Sequence, residues 1–260
     1  QELISRIFLL FAVGAVLFLA TYKLIESPPV WMDEGIITQV AENMAMHEVH
    51  GIQVAPGEFV SAGFVTTSYV VTYPISLFFK LFGVGILEAR VVMVLFLFAF
   101  FALVYLLVKR EMSVNLALFS LFLLVSFAPI YGNGKNVLGE IPGLVFLFTG
   151  LLSMSFIERG TKTVGVFLLA GLSIGLCVVT KPVFLVLLPA IVLPLYFYWR
   201  TLFPHPRFFG YAIIAFCATV FVWFFVQFSG DSLGNIFSIY ANPHNTLPLD
   251  SMLANLKRFV

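Results

Sequence analysis

Residues 91–108 read VVMVLFLFAFFALVYLLV, eighteen positions without a charge. As a helix this run would be about 27 Å long, close to the ~30 Å hydrocarbon thickness of a bilayer. A soluble helix keeps one polar face for water, and here only Tyr105 carries a polar side-chain atom. Five further runs have the same character: Ile7–Leu24, Val114–Tyr131, Ile141–Ile157, Val164–Thr180 and Phe208–Phe228. A seventh, Val183–Trp199, is interrupted by Pro189 and Pro194. Membrane helices tolerate proline when neighbouring helices satisfy the freed carbonyls. The chain is therefore predicted to be an all-α multi-pass membrane protein with about seven spans.

Composition agrees. Of 260 residues, 61% are hydrophobic and 10% charged, and Phe alone occurs 31 times. Soluble domains carry about 25% charged residues, so a soluble core cannot hide this much apolar surface. The net charge of +1 offers no electrostatic footprint for nucleic acid. The hydrophobicity also excludes disorder. Cys177 and Cys217 both fall inside apolar runs, so they read as packing residues and no disulfide framework is expected. The chain begins at Gln1 and ends at Val260 just after an amphipathic stretch, the pattern expected of a piece of a longer protein.

Ser68–Phe82 (SYVVTYPISLFFKLF) is short, with Pro74 and Lys80 inside it. If it lies in the interface and does not cross, Arg6, Lys109, Arg110, Arg159, Lys162, Arg200 and Arg207 fall on one side of the membrane. Most acids, among them Glu26, Asp33, Glu34, Glu88, Glu140, Asp231 and Asp250, fall on the other. Cytoplasmic loops are enriched in Lys and Arg, so this arrangement puts the N-terminus inside. Residues 1–260 then form one transmembrane module. Residues 25–89 are its first extracytoplasmic loop, and 229–260 begin a later one.

That first loop holds most of the polar chemistry. After Pro28 and Pro29 comes Trp31-Met32-Asp33-Glu34, then Ile36, Ile37, Val40, Ala41 and Met44 at helical spacing. Gln39, Glu42 and Asn43 take the opposite face, so the segment reads as an amphipathic helix on the membrane surface. Asp33 is placed to cap this helix, and Glu34 to sit in its first turn against the helix dipole. A carboxylate so fixed could also accept a proton from an incoming hydroxyl. Glu140 opens a later span on the same side, where it too fits helix-start electrostatics. Lys181 sits between two spans on the side where positive charge is disfavoured; either it snorkels to the headgroups or it holds an anion. Arg90 follows Glu88 at a span start, as an interfacial anchor or a phosphate partner. His47 and His50 read as solvated loop histidines. No Gly-rich phosphate loop, Cys/His metal signature or nucleophile elbow occurs.

The order of these pieces resembles the GT-C glycosyltransferases, in the branch containing the protein O-mannosyltransferases and the bacterial lipid A aminoarabinose transferase. The resemblance rests on Asp33-Glu34 opening an outer helix that continues through Ala41-Glu42-Asn43-Met44. Thr66–Pro74 then leads into Leu81-Phe82-Gly83, followed by Glu88-Ala89-Arg90, Gly139-Glu140 and Thr180-Lys181, each at a span boundary. It implies a GT-C-like bundle that transfers a sugar from a polyprenyl-phosphate carrier (dolichyl or undecaprenyl) to a hydroxyl on a protein, lipid or glycan. Transfer would occur at the extracytoplasmic face, with inversion, in a cell membrane or in the endoplasmic reticulum of a eukaryote. By the same resemblance Asp33, with Glu34 beside it, is the catalytic acid pair. Glu140 is a second acid touching the acceptor or a divalent metal ion, and Lys181 and Arg90 are phosphate partners. The chain departs from the aminoarabinose transferase at Ile36, where that enzyme has Arg, and at Thr66 and Thr67, where it has a Lys. A transporter or lipid flippase is the alternative, with the same charges on a conduction path. A non-catalytic assembly subunit that retains the scaffold is a third.

Overall fold

The computed structural model describes residues 2–161, 163–189, 206–229, 231 and 234. Six of the seven expected spans coincide with helices. They are α1 (Glu2–Thr21), α4 (Ile86–Glu111), α5 (Val114–Ser126), α7 (Glu140–Glu158), α8 (Val164–Thr180) and α9 (Pro206–Gln227). Within these, Ile86–Glu111, Glu140–Glu158 and Phe209–Gln227 are each long and apolar enough to cross a bilayer. The seventh run begins as a 3-10 turn over Pro182–Val186, and its residues 190–199 lie outside the described ones. So does most of the tail from 229.

Two expectations need correction in detail. The run Val114–Tyr131 is not one straight helix: α5 stops at Ser126, Phe127 is extended (φ −93°, ψ 94°), and a short α6 (Ala128–Asn133) follows. Pro129 explains the break, because it has no N–H to donate and its ring clashes with the preceding turn. The first outer loop is also not purely helical. Between α2 (Met32–Met46) and α3 (Tyr69–Phe82) lies an antiparallel hairpin, β1 (Gly51–Ala55) with β2 (Glu58–Ser61). Pro56 and Gly57 (φ +80°) make its turn; proline presets the first central residue and glycine accepts the positive φ of the second. Asn43, expected on the polar face of α2, is instead buried and donates through Nδ2 to the Gly51 carbonyl at 2.8 Å. That bond seats the hairpin on α2.

Helix α3 is 14 residues long, about 21 Å against ~30 Å of hydrocarbon. Ser68 caps its N-terminus by accepting from Val70 N–H. Its Val71, Ile75 and Phe79 pack with Ile37 and Ala41 of α2 and Ala89, Val92 and Met93 of α4. A second core joins Val16, Ala20 and Leu24 to Leu97, Phe100, Phe101 and Val104 of α4, Leu121 of α5, and Ile141 and Val145 of α7. Helix α8 lies between α7 and α9. The approach to α9 requires glycine: a Cβ on Gly171 would sit 1.9 Å from the Ala212 carbonyl oxygen. Outside these contacts, Phe8, Phe11, Phe18, Phe119, Phe122, Phe221 and Phe225 are exposed, as expected for a surface facing lipid. Both cysteines are free thiols, Cys177 buried and Cys217 exposed.

The chain alternates direction, so the polar connections gather at two ends. One end joins the close of α1, the α2–α3 loop, the starts of α4 and α7, and the ends of α8 and α9 through bonds such as Ser68 N–H to Thr180 O (3.1 Å) and Tyr69 N–H to Gln227 Oε1 (2.8 Å). The other end joins Arg110, Glu111, Ser155 and Arg159.

Candidate active site

Helix α2 begins with its two acids pointing different ways. Its N-cap is Trp31 (φ −93°, ψ 155°), which makes no side-chain cap, so Asp33 is a first-turn residue and not the cap expected from sequence. Successive helical residues rotate by about 100°. Asp33 is consequently exposed, and no hydrogen bond or ion pair engages its carboxylate among the described residues. Glu34 is 0% exposed.

Glu34 meets Arg90 in a two-pronged ion pair. Arg90 Nε donates to Glu34 Oε1 at 2.8 Å and Nη2 to Oε2 at 2.7 Å, and Arg90 is likewise 0% exposed. Arg90 Nη1 donates to the Leu24 and Ile25 carbonyls at 2.7 and 3.2 Å. Four of its five N–H donors are thereby committed. Val137 N–H adds a third bond to Glu34, reaching Oε1 at 3.0 Å. A guanidinium and a carboxylate matched in this way form one of the strongest hydrogen-bonded pairs proteins use. The geometry gives Glu34 and Arg90 to the framework that holds α1, α2, α4 and the 134–139 loop together. It does not present Arg90 to a phosphate or Glu34 to a substrate.

Val137 lies three residues before Glu140, so their Cα atoms are at most about 11 Å apart. Glu140 is the first residue of α7 and forms an ion pair with Lys181, the residue that ends α8 in an extended conformation. Lys181 is 18% exposed and Glu140 48%. Gly139 lets the two strands of chain touch: a Cβ there would sit 3.3 Å from Lys181 Cβ. Thr180 in turn accepts from Ser68 at the start of α3. Glu34, the neighbour of Asp33, is thus tied through Val137 to the loop that leads into the Glu140–Lys181 pair.

Two features escaped the sequence reading. Lys135 is 4% exposed and donates to the Tyr22 carbonyl at 3.0 Å. A lysine on the side otherwise poor in cations was the available signal, the same one that drew attention to Lys181. Burial, and secondarily the charge of Arg90, pull its pKa below the ordinary lysine value. The second feature is a junction between the hairpin and the end of α9. Ser61 Oγ donates to Asp231 Oδ2 at 2.5 Å, and Gly63 N–H donates to Ser61 Oγ at 3.1 Å. His50 packs edge-on against Tyr69, and its Nε2 is buried with no partner among the described residues. It is therefore not the solvated loop histidine expected from sequence. Burial lowers its pKa to about 4, against a smaller opposing pull from Asp231.

Among the described residues no three His, Cys, Asp or Glu side chains gather as a metal site, and Glu140 is occupied by Lys181.

Residues 67–225 match the family model described as dolichyl-phosphate-mannose-protein mannosyltransferase. The chain belongs to this family. Among solved structures it is similar to ArnT from Cupriavidus metallidurans bound to undecaprenyl phosphate, at a TM-score of 0.70 and 16% identity. That match covers 88% of this chain and 43% of ArnT. It is similar also to ArnT in the apo state, at a TM-score of 0.69 and 16% identity over 93% of this chain and 45% of ArnT. These likenesses establish a GT-C membrane fold, with the chain spanning less than half the length of ArnT. No curated protein matches the chain.

Proposed function

We propose that this chain carries the catalytic base and a carrier-phosphate contact of a membrane glycosyltransferase. The enzyme transfers a sugar from a polyprenyl phosphate to a hydroxyl on a protein, lipid or glycan at the extracytoplasmic face. The family match supports the reaction class, and the ArnT structure bound to undecaprenyl phosphate supports the carrier class. The observation that carries the reading is the contrast between two adjacent acids. Glu34 is locked, while Asp33 is exposed and unpartnered on the same rigid helix turn.

The chemistry follows from that contrast. A polyprenyl phosphate stays in the bilayer, so its headgroup must be met at the membrane edge. The acceptor O–H gives its proton to the Asp33 carboxylate as the acceptor oxygen bonds to the anomeric carbon. The bond from that carbon to the phosphate oxygen breaks, and polyprenyl phosphate leaves with the electron pair. Attack from the face opposite the phosphate inverts the anomeric centre. Lys181, oriented by Glu140, offers its remaining donors to the phosphate as negative charge builds on it. Glu34 and Arg90 fix Asp33 in place, which supplies the positional share of the catalysis. A labelled polyprenyl-phosphate sugar incubated with the full-length protein in nanodiscs tests the reaction class. Transfer to a hydroxyl acceptor with release of polyprenyl phosphate is expected. Movement of the intact carrier across the bilayer without cleavage would instead make the protein a flippase.

A further inference from the structure

Lys135 takes no part in the proposed transfer, yet it is buried with no acid engaged among the described residues. Its ammonium has three donors, of which one is engaged, on the Tyr22 carbonyl. Glu34, the carboxylate of this buried cluster, already accepts from Arg90 twice and from Val137. Two cations thus share one acid, leaving a net positive charge in a low-dielectric place.

The two cations also share a target. Arg90 binds the Leu24 and Ile25 carbonyls, and Lys135 binds that of Tyr22. These carbonyls lie just past the end of α1, where a helix runs out of its own donors and its dipole is negative. From there the chain runs directly to Asp33, and the next residue, Glu34, is held by Arg90 again. The segment that presents Asp33 is therefore anchored at both ends by cations from elsewhere in the fold.

We propose that Lys135 is a positioning residue for Asp33: it fastens the end of α1 from which the Asp33 segment departs. This rests on Asp33 being the base.

The test compares Lys135→Met, Lys135→Gln and Lys135→Arg in the full-length protein in nanodiscs, measuring kcat, donor KM and the folded fraction by thermal melting. Lys135→Met is expected to lower kcat per folded molecule about tenfold with the donor KM within about twofold. Lys135→Gln keeps a donor for Tyr22, so it should retain more of kcat, and Lys135→Arg should restore it. Activity in the Met variant that follows only the folded fraction, or a loss that appears in KM and not in kcat, would overturn the inference. If the parent protein transfers no sugar, the transferase reading fails and takes this inference with it. If the parent transfers sugar and Asp33→Asn does so equally well, the inference fails and the reaction class stands.

Discussion

Replacing Glu34 with Ala should be the most damaging single change in the first outer loop. The substitution leaves Arg90 buried with two N–H groups, Nε and Nη2, facing a void where a carboxylate stood. Removing one partner of a buried ion pair typically costs about 3–5 kcal/mol. The orphaned Val137 N–H is part of the same loss and is not an independent addition. Set against the ~5–15 kcal/mol of a typical domain, a loss near 4 kcal/mol removes a large share of the stability. Glu34→Gln is gentler, because its amide oxygen can still accept from Val137 while the charge is gone. The assay is thermal unfolding of the protein in nanodiscs, with sugar transfer measured on the surviving folded fraction. Both variants should melt below the parent, Ala further than Gln, and the folded fraction should turn over more slowly as Asp33 loses its anchor. The double variant Glu34→Arg with Arg90→Glu should recover part of the loss by reversing the pair. A Glu34→Ala protein that melts and turns over like the parent would refute the framework role assigned to the pair.

Other outcomes follow from the same geometry. Lys181→Met should weaken carrier use about tenfold in donor KM, while melting changes little, because the Glu140 left behind is half-exposed and water can solvate it; an unchanged KM would remove Lys181 from the phosphate site. Gly171→Ala should force α8 and α9 apart and cost roughly 1–3 kcal/mol, read as a lower melting temperature. His50 titrates near 4 when folded and near 6.5 when unfolded, so its burial destabilises the fold progressively as pH drops from about 6.5 toward 4. Protection factors of the amides in residues 50–69, referenced to the intrinsic exchange rate at each pH, should fall from pH 7 to pH 5, and His50→Phe should flatten that dependence.

The sequence made the spans legible because an uncharged run such as 91–108 leaves no surface for water, whatever its neighbours do. The Asp33-Glu34 pair and the Glu140 and Lys181 boundaries were equally plain as charges at the edges of apolar runs. What those charges bind was hidden. Glu34 and Arg90 are 56 positions apart, and the Lys181–Glu140 pair spans 41, so only the tertiary fold could show which cation meets which acid. That fold moved Arg90 from the substrate to the scaffold. The phase of α2 carried a partial signal, since Glu34, Ile37 and Ala41 share its buried face. The break before α6 left a mark in Pro129, but the long apolar run 114–131 outweighed it; Pro56-Gly57 marked the turn of the hairpin without showing that strands flank it. Asn43 read as a surface residue because nothing local announces that its amide is needed by a carbonyl eight positions away.

The central claim is that Asp33 works as the base while its neighbour Glu34 works as its anchor. Single-turnover transfer by Asp33→Asn, with donor and acceptor prebound, isolates that claim from binding and from assembly. Asparagine keeps the shape of an exposed, unpartnered side chain, so melting should match the parent, and the rate should fall by at least ~10²-fold, the low end for loss of a general base. A folded Asp33→Asn protein that transfers sugar at the parent rate would contradict the account.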